Sequence, residues 1–288
     1  MELLPSLETK NFSLKYTFES AQPVSFYADF SGEEITFPFG RSIVSMGFKG
    51  DSHKGVFRIA SVRGETKFGI AEAKKLFRLK DNMPEIYRMI SSDKFIEEAI
   101  SRYHGMRLTL DDPWVTTLSF IVSQFNNIKR IRLIIKKLIE RFGSEIVYDG
   151  RIIGKSFPEP QTLASASIED IWKCGAGFRS KYIKASADYC SNNIDLHKLE
   201  GKRYEDLKES LLEMSGVGDK VADCIALMGY GKLEAFPIDT WIKRTVENIY
   251  FNKKKTIKEI HEFAKERWNG LAGYAQQYIY WHGMHYLR

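Results

Sequence analysis

The segment from Leu211 to Asp239, LLEMSGVGDKVADCIALMGYGKLEAFPID, contains two side chains that together could carry out a reaction on a nucleotide. Lys220 offers a primary amine, which can attack the anomeric carbon of a nucleoside, displace the base and form a Schiff base with the opened sugar. Asp239 offers a carboxylate, which can stabilise the positive charge that develops on the sugar as the base departs. The pair predicts an enzyme that acts on a base in DNA.

Both residues also have simpler interpretations. Lys220 could be one more solvated surface lysine. Asp239 directly precedes TWIKRTV (Thr240 to Val246), which is predicted to be helical, and aspartate is a common N-cap residue. The capping role and the electrostatic role of Asp239 are compatible, because both depend on a carboxylate at the start of that helix.

The elements that must position Lys220 form a helix, a tight turn and a second helix. Apolar spacing predicts helices over Tyr204–Met214 and Asp219–Met228, separated by SGVG. Gly216 and Gly218 break the helical pattern, since glycine can adopt the positive φ that other residues avoid. A turn that opens a helix presents free N–H groups to an anion such as a phosphate. The alternative is an ordinary corner between two helices.

The motif GVGDKVADC followed by FPID resembles the helix-hairpin-helix superfamily of DNA glycosylases, and within it the 8-oxoguanine DNA glycosylase/lyase family. The resemblance runs from about Glu72 to Arg288, roughly three quarters of the chain. It includes the segments YHGMRLTLDDPW (Tyr103 to Trp114), SQFNNIKRI (Ser123 to Ile131), FPEPQTLA (Phe157 to Ala164) and CGAGFRSKYI (Cys174 to Ile183). The lysine marks a bifunctional enzyme, because relatives that cleave only the glycosidic bond lack an amine there.

The resemblance implies roles for the catalytic centre and the base pocket. Lys220 would be the nucleophile that forms the Schiff base, and Asp239 its electrostatic partner. In the base pocket, Cys224 and Tyr280 would sandwich the flipped base, and Met228 would line the pocket. Gln276 would read the Watson–Crick edge of the base. The Ala21 carbonyl in Ser20-Ala21-Gln22 would detect the N7 hydrogen of 8-oxoguanine.

The resemblance also implies how the duplex is held. Phe178 would be the aromatic wedge that enters the base stack, because extruding a base requires unstacking it. Arg130 and Arg179 would recognise the opposing cytosine with their planar donor forks, and Asn127 would belong to the turn that fills the gap. The hairpin glycines Gly216 and Gly218 would bind the DNA backbone.

The sequence departs from the family pattern at three places. Phe125-Asn126-Asn127 stands where the family usually has three consecutive asparagines, which concerns the handling of the opposite base. Trp241 occupies a position that is commonly histidine. Tyr280 replaces the usual phenylalanine of the pocket and adds a hydroxyl group.

Composition agrees with a polyanionic partner. The 288 residues carry a net charge of +6, and 43% of them are hydrophobic, enough for a substantial core. Six basic residues lie between Lys129 and Arg141 on a predicted helix, which favours DNA binding, although a solvated helix face is the alternative. The expected partner is double-stranded DNA containing oxidised guanine, bound by a monomer.

Cofactors are not expected. The three cysteines Cys174, Cys190 and Cys224 have no ligand spacing, and none follows Asp239. The clustered C-terminal cysteines of endonuclease III-type relatives, which hold an iron–sulfur cluster, are therefore missing. We expect no catalytic metal. A structural cation at the hairpin, held by backbone carbonyls, is compatible with the family. The absence of a signal-peptide pattern and of a long apolar stretch predicts an intracellular, soluble protein of the cytoplasm, nucleoid or nucleus.

The expected fold class is α+β, with an N-terminal antiparallel β-sheet domain (1–70) and an all-helical, two-lobed body (71–288) that contains the helix-hairpin-helix at about 204–229. Alternation predicts strands at 12–18, 25–30, 34–37 and 55–59. Helical spacing predicts helices at 95–100, 115–128 and 274–286, and the active cleft is expected between the two lobes.

Two alternatives to this function stay open. One is a glycosylase of the same superfamily that acts on another damaged purine, such as an alkylated purine, or on adenine mispaired with 8-oxoguanine. The lysine argues against the first and the missing cluster cysteines against the second. The other alternative is a non-catalytic DNA-binding module that uses the hairpin only for phosphates.

Overall fold

A five-stranded antiparallel sheet near the N-terminus is followed by a long succession of helices. The structure is a computed structural model that describes residues 5–286. The strands are β1 (Ser6–Lys10), β2 (Asp29–Phe30), β3 (Glu34–Phe39), β4 (Ser42–Gly50), β5 (Lys54–Gly64), β6 (Glu145–Tyr148) and β7 (Arg151–Lys155). The helices are α1 (Leu14–Glu19), α2 (Val24–Tyr27), α3 (Ile70–Leu76), α4 (Met83–Ile90), α5 (Lys94–Arg102), α6 (Pro113–Ser123), α7 (Ile128–Phe142), α8 (Pro160–Ser165), α9 (Ile168–Ile171), α10 (Arg179–Asn192), α11 (Tyr204–Leu212), α12 (Asp219–Tyr230), α13 (Thr240–Val246), α14 (Ile257–Trp268) and α15 (Ala272–Tyr286). The α+β class is confirmed.

The sheet has the strand order β1-β5-β4-β3-β2. Its centre is the β4–β5 hairpin, in which Met46 pairs with Ile59 and Phe48 with Phe57. Along β5, side chains alternate between buried and exposed positions, as expected for a sheet with one face on the core. The predicted strands at 34–37 and 55–59 are confirmed as parts of β3 and β5.

The predicted strands at 12–18 and 25–30 are wrong. Residues 14–19 form α1, because Ser13 Oγ accepts a hydrogen bond from the Tyr16 backbone N–H at 3.3 Å and caps the helix. The apolar positions of this segment fit both strand and helix periodicity. Burial of Leu14, Thr17 and Phe18 on one face stabilises the helix. Residues 24–27 form α2, which leaves only the two residues of β2 in strand geometry.

The region after residue 71 is not entirely helical. The β6–β7 hairpin interrupts it at 145–155. The predicted helix over 115–128 ends at Ser123, and α7 starts only at Ile128. Asparagines terminate one helix and start the next: Asn126 Nδ2 donates to the Val122 carbonyl at 3.0 Å, and Asn127 caps α7. A four-residue loop therefore projects between α6 and α7.

The helix-hairpin-helix prediction is confirmed. The first helix, α11, ends at Leu212, two residues before its predicted end. The second, α12, extends to Tyr230 and ends at Gly231, whose φ of +70° is left-handed. The helix predicted at 240–246 is α13 with the same bounds, and the helix predicted at 274–286 is α15, which begins two residues earlier.

Buried hydrogen bonds connect the sheet region to the helices. The Arg107 guanidinium, almost entirely buried, donates to the carbonyls of Lys10, Asn11 and Arg78. The apolar core is also continuous across residue 70, as the contact of Phe12 with Phe77 illustrates (ring centroids 5.7 Å apart). The division at residues 70 and 71 stays a prediction. Among the described residues, no helix combines the length and apolarity needed to cross a bilayer.

Candidate active site and nucleic-acid interface

Lys220 lies in the first turn of α12, directly after the hairpin, and its side chain is partly buried. The ammonium nitrogen is 5.0 Å from the centre of the Phe120 ring on α6, a distance at which an aromatic face attracts a cation. Phe120 itself is buried. The lysine is therefore held against α6 instead of extending freely into solvent.

Cys224 follows Lys220 by one helical turn and shares its face of α12. Burial raises the pKa of the Cys224 thiol to about 11, while the nearby Lys220 ammonium acts in the opposite direction and the Asp239 carboxylate adds to the rise. Burial also raises the pKa of Tyr280 well above its usual value, and Asp239 and Cys224 raise it further. Because the charges of these groups affect one another's pKa, Lys220, Cys224, Asp239 and Tyr280 lie close together. With Gln276, we call these residues the lysine pocket.

Asp239 caps α13, as its position in the sequence predicts. Its Oδ1 accepts a hydrogen bond from the Ile242 backbone N–H at 2.8 Å, which occupies one of the two carboxylate oxygens. The segment that leads into it, Phe236-Pro237-Ile238, is buried. The carboxylate is thus fixed both by its own cap and by the burial of the preceding chain.

Gln276 is buried on α15 and faces the segment before Asp239. Its Nε2 donates to the Pro237 carbonyl at 3.2 Å, whereas Oε1 has no partner among the described residues. A buried amide oxygen without a partner is costly unless a ligand satisfies it. Met228 is also buried, near the end of α12, and its carbonyl accepts from the Asp111 backbone N–H at 2.8 Å.

Ala21 has a φ of +60°, which is uncommon for a residue with a side chain. Buried hydrogen bonds on both sides hold it there. The carbonyl of Ser20 accepts from Gln277 Nε2 at 2.7 Å, and Gln22 Nε2 donates to the Arg107 carbonyl at 2.8 Å. Backbone strain that is enforced by its surroundings favours a functional interpretation. Gln277 neighbours Gln276 on α15, so the strained residue is attached to the helix that lines the pocket.

The two hairpin glycines differ in conformation. Gly216 has a φ of +79°, and a Cβ atom there would lie 2.6 Å from Tyr182 Cβ. Gly218 has a φ of −96° and open space around its Cβ position. The expectation of positive φ therefore holds for Gly216 and is wrong for Gly218, which is the extended residue before α12. Neither strain nor packing requires glycine at position 218.

The hairpin is braced by its neighbours. Ser186 Oγ on α10 donates to the Ser215 carbonyl at 2.5 Å, and Gln124 Nε2 donates to the Gly216 carbonyl at 3.0 Å. Tyr182 packs against Gly216 and meets the Phe178 ring edge-on, with centroids 6.2 Å apart. The hairpin, the start of α10 and the α6–α7 loop are thus joined into one surface.

Phe178 stands at the start of α10, after Gly177, and is 52% exposed. Arg179 points the other way and is almost entirely buried. Its guanidinium donates to the carbonyls of Gln124 (2.7 Å from Nε), Phe125 (3.0 Å) and Ala176 (3.2 Å). In this structure its donors therefore serve the protein backbone, and the contact of Arg179 with an opposing cytosine stays a prediction. Arg130 remains exposed.

Asn127 is also engaged. Its Oδ1 accepts from the Arg130 backbone N–H at 3.0 Å as the N-cap of α7. The geometry therefore gives Asn127 a capping role, which sequence reasoning did not assign to it. Phe125, for which no role was predicted, is instead 94% exposed. The available signal was its departure from the asparagine run of the family.

The basic residues of α7 divide into two groups. Arg132 donates to the Ser25 carbonyl at 2.7 Å, and Lys136 and Arg141 pair with Asp29 and Asp170. Lys129 and Arg130, in the first turn, are exposed and next to the loop that carries Phe125. Lys137, the sixth basic residue, is also exposed but lies two turns further along the helix. The start of the helix, with two adjacent exposed basic residues, therefore best fits the disposition expected of a DNA-binding surface.

Metal-binding geometry is absent from the described part of the chain. No group of three or more histidine, cysteine, aspartate or glutamate side chains in residues 5–286 is placed to hold an ion. The three cysteines are free thiols. The expectation that no cofactor is needed, and the idea of a structural cation at the hairpin, stay predictions.

Comparisons with known proteins agree with this geometry. A family model described as HhH-GPD superfamily base excision DNA repair protein matches residues 118–270. A probable N-glycosylase/DNA lyase of Methanothermobacter thermautotrophicus is 31% identical over 227 residues, which are 72% of this chain and 72% of the relative.

Two solved structures are similar over nearly the whole length. MBOgg1 in complex with a low-affinity DNA ligand has a TM-score of 0.87 and 32% identity, covering 100% of this chain and 98% of that one. The 8-oxoguanine glycosylase/lyase of Clostridium acetobutylicum, in complex with double-stranded DNA containing cytosine opposite 8-oxoguanine, has a TM-score of 0.84 and 27% identity, with 100% of both chains covered.

Proposed function

This chain belongs to the HhH-GPD superfamily of base excision DNA repair proteins, and we propose that it is a bifunctional DNA glycosylase and lyase. Its substrate is 8-oxoguanine paired with cytosine in double-stranded DNA. It releases the base by lysine attack and then nicks the strand. Relatives named N-glycosylase/DNA lyase and 8-oxoguanine glycosylase/lyase support both activities and the DNA partner.

The observation that carries this proposal is the convergence of Lys220, Asp239, Cys224 and Tyr280 at one site. The four residues come from α12, α15 and the start of α13, so only the tertiary fold brings them together. An amine and a carboxylate beside a buried thiol and an aromatic ring suit attack on a nucleoside whose base lies between sulfur and ring. A module that only gripped phosphates would have no use for this set.

The chemistry proceeds from the amine. The neutral Lys220 nitrogen attacks C1′, and the bond between C1′ and the base breaks with its electron pair leaving on the base. The Asp239 carboxylate stabilises the positive charge that builds up on the sugar. Opening of the sugar ring gives a Schiff base to Lys220, and β-elimination then expels the 3′ phosphate. A cap on α13 holds the carboxylate in place throughout.

Base recognition is assigned to the buried polar groups around this centre. The unpartnered Gln276 Oε1 is suited to accept from a donor on the Watson–Crick edge of the base. The strained Ala21, attached to α15 through Ser20, offers a backbone carbonyl for the N7 hydrogen that distinguishes 8-oxoguanine from guanine. Met228 completes the apolar lining.

Binding of the duplex backbone is assigned to the hairpin and the start of α7. The free N–H groups at the start of α12 and its dipole favour a phosphate. Open space at Gly218 permits close approach of the DNA backbone. Lys129 and Arg130 add exposed positive charge, whose contribution to binding falls with salt concentration.

Borohydride trapping tests this function directly. A duplex carrying 8-oxoguanine opposite cytosine is incubated with the protein and sodium borohydride, which reduces a Schiff base to a stable covalent link. We expect a covalent protein–DNA band with the wild-type chain and none with Lys220→Gln. Lys258→Gln is the matched control, because Lys258 is an exposed lysine on α14.

The possible outcomes separate the alternatives. Base release without a trapped band would indicate a monofunctional glycosylase and make Lys220 a phosphate ligand. Neither release nor trapping on this duplex, with activity on an alkylated purine or on adenine opposite 8-oxoguanine, would reassign the substrate. Salt-dependent binding without turnover on any of these duplexes would leave a binding module.

A further inference from the structure

We propose that Phe125 and Phe178 form a two-ring aromatic wedge, in which Phe178 enters the base stack and Phe125 stacks on the orphaned base left behind by extrusion. The inference rests on the proposed function, because it concerns the same flipping reaction. In this proposal an aromatic ring, Phe125, fills the space that the extruded base leaves. Such a ring does not read the hydrogen-bond pattern of the opposite base. Opposite-base selectivity is accordingly weak at this contact.

Phe125 is the most exposed large apolar residue in the described part of the chain, at 94%. It also has a φ of +47°, and for a bulky side chain this conformation is a genuine outlier. A water-exposed ring on a strained backbone gains nothing for the folded protein. Such an arrangement is explained when the ring is buried by a ligand.

The two rings lie side by side. Their centroids are 6.4 Å apart with an interplanar angle of 59°, within the usual range for aromatic pairs. They come from different loops, the α6–α7 loop and the start of α10, yet project from the same surface. That surface includes the hairpin, to which Gln124 and Tyr182 are both attached.

Arg179 positions both rings at once. Its guanidinium carbon is 4.5 Å from the centre of the Phe178 ring, and its nitrogens donate to the carbonyls of Gln124 and Phe125. One buried side chain therefore stacks on the first ring and holds the strained turn that carries the second. Arg179 therefore has a structural role that does not require contact with DNA.

The charge around the rings identifies their ligand as nucleic acid. Lys129 and Arg130 are exposed within five residues of Phe125, and Arg130 is close enough to contribute to the lowered pKa of Arg179, which burial chiefly causes. An isolated ring pair beside positive charge suits a base flanked by phosphates. Every base has a π-face, so stacking on it tolerates any sequence.

The neighbouring asparagines both use side-chain atoms to hold the backbone of the α6–α7 loop. Asn126 Nδ2 bonds the Val122 carbonyl, and Asn127 Oδ1 caps α7. Phe125 can stack on any of the four bases, and hydrogen-bond recognition of the opposite base is assigned to the exposed Arg130.

Binding to duplexes that carry a tetrahydrofuran abasic-site analogue tests the wedge without requiring turnover. The analogue is placed opposite cytosine, thymine, adenine and guanine in turn. We expect Phe125→Asn to weaken binding by about tenfold on all four, the size typical of one lost base–aromatic stack. Asparagine tolerates positive φ, so this variant keeps the turn, but it replaces the ring with the amide that the family usually carries. Phe125→Gly, which also accepts positive φ and adds no polar group, is therefore measured beside it and should show the same loss.

Two variants serve as controls. Phe125→Tyr keeps a stacking ring and should bind as the wild type does. Tyr148→Ala removes a half-exposed aromatic from the β6–β7 hairpin, away from the wedge, and should also have no effect. Unchanged binding by Phe125→Asn would overturn the proposal. A loss confined to one opposing base would overturn it too, because that pattern indicates a specific contact.

A double-mutant cycle tests the positioning role of Arg179. Arg179→Met should weaken binding severalfold in the wild-type background and less in Phe125→Asn, because the part of its effect that acts through the Phe125 ring is already lost there. The part that acts through Phe178 should remain. Arg179→Lys should restore little, since lysine lacks the planar fork. Equal losses in both backgrounds would refute the positioning of Phe125 by Arg179. These binding results are independent of borohydride trapping, so a failure of the wedge and a failure of the proposed chemistry are distinguishable.

Discussion

The lysine pocket and the aromatic wedge adjoin the same hairpin but are built from different kinds of backbone. The pocket side chains stand on helices or on a helix cap, and all of them are buried or partly buried. The wedge rings are exposed and stand outside the helix interiors, Phe125 at positive φ in the α6–α7 loop and Phe178 directly after Gly177 at the start of α10. Chemistry requires groups held at fixed distances in a water-poor site, and packed helices provide this. Insertion into a duplex requires rings that project, and loops provide that.

The comparison also separates the two ways in which polar groups are used. In the pocket, Gln276 keeps an unpartnered acceptor, and Asp239 keeps one oxygen outside its cap. At the wedge, Arg179 and Asn126 hydrogen-bond the protein backbone, and the Asn127 Oδ1 accepts from the backbone as the cap of α7. The pocket therefore retains hydrogen-bonding capacity for a ligand, whereas the wedge uses hydrogen bonds for rigidity and leaves apolar rings for contact.

The largest expected effect lies in the pocket. Asp239→Asn should lower the rate of base release by a factor on the order of 10²–10³, the usual result of removing one electrostatic stabiliser of a transition state. Asparagine is as good an N-cap as aspartate, so the melting temperature should be unchanged. Single-turnover kinetics and thermal unfolding measure the two effects. An unchanged rate of base release would mean that Asp239 acts only as a cap.

A pH effect is expected from the scaffold beneath the pocket. Burial raises the pKa of Asp111 to about 6, although Tyr27 and Thr109 donate hydrogen bonds to it. Its backbone supports Met228 on α12. The folded state therefore binds more protons than the unfolded state between about pH 4 and pH 6, and the free energy of unfolding falls as pH rises through this window.

The loss attributable to Asp111 is about 2–3 kcal/mol, from a shift of about two pKa units. Urea unfolding at about pH 4 and pH 7 measures it, with Asp111→Asn as the comparison. The variant should show a smaller decrease between the two pH values, because it cannot ionise. An identical decrease in both proteins would show that Asp111 does not carry the effect.

The two hairpin glycines, Gly216 and Gly218, allow an effect on folding to be compared with an effect on DNA binding. Gly216→Ala should destabilise the fold by about 2 kcal/mol, because it combines left-handed strain with a clash against Tyr182. Gly218→Ala should leave stability within about 0.5 kcal/mol and weaken binding of undamaged duplex DNA severalfold. Denaturant unfolding and salt-controlled binding assays distinguish them. Normal DNA binding by Gly218→Ala would remove position 218 from the interface.

The smallest effect is expected at the pocket aromatic. Tyr280→Phe keeps the ring that stacks on the base and removes only the hydroxyl, so base release should change by less than about threefold. Tyr280→Ala should cost about tenfold or more, because one stacking face is lost. Rates on 8-oxoguanine opposite cytosine measure both. A large effect of Tyr280→Phe would assign the hydroxyl a direct role.

The sequence sufficed for the parts of the site whose geometry is local. The SGVG turn, the lysine in the next helical turn and the aspartate before Thr240 each define their own backbone surroundings. The helix-hairpin-helix and the α13 cap accordingly appear as predicted. Resemblance to a family added the roles of Cys224, Gln276 and Tyr280. Cys224 lies one turn from Lys220 on α12, whereas Gln276 and Tyr280 reach the site only because α15, distant in the chain, packs beside it.

Prediction from the local sequence pattern failed in two situations. In the first, the same residues fit both strand and helix periodicity. In the second, a polar side chain could bond either DNA or its own protein backbone. Residues 12–18 satisfy both strand and helix spacing, and only packing of Leu14 and Phe18 into the core selects the helix. Arg179 looks the same in sequence whether it faces DNA or its own backbone. Its burial, and with it the projection of Phe125, depends on the approach of the α6–α7 loop to α10.

What the sequence determined by itself is the chemistry available, an amine and a carboxylate on a glycine hairpin, because residue type and short-range spacing fix both. What only the tertiary structure decided is which polar groups remain available to a ligand and which are consumed within the fold. That distinction rests on burial and on long-range hydrogen bonds. Both are set by contacts between segments distant in sequence, so no local pattern records them.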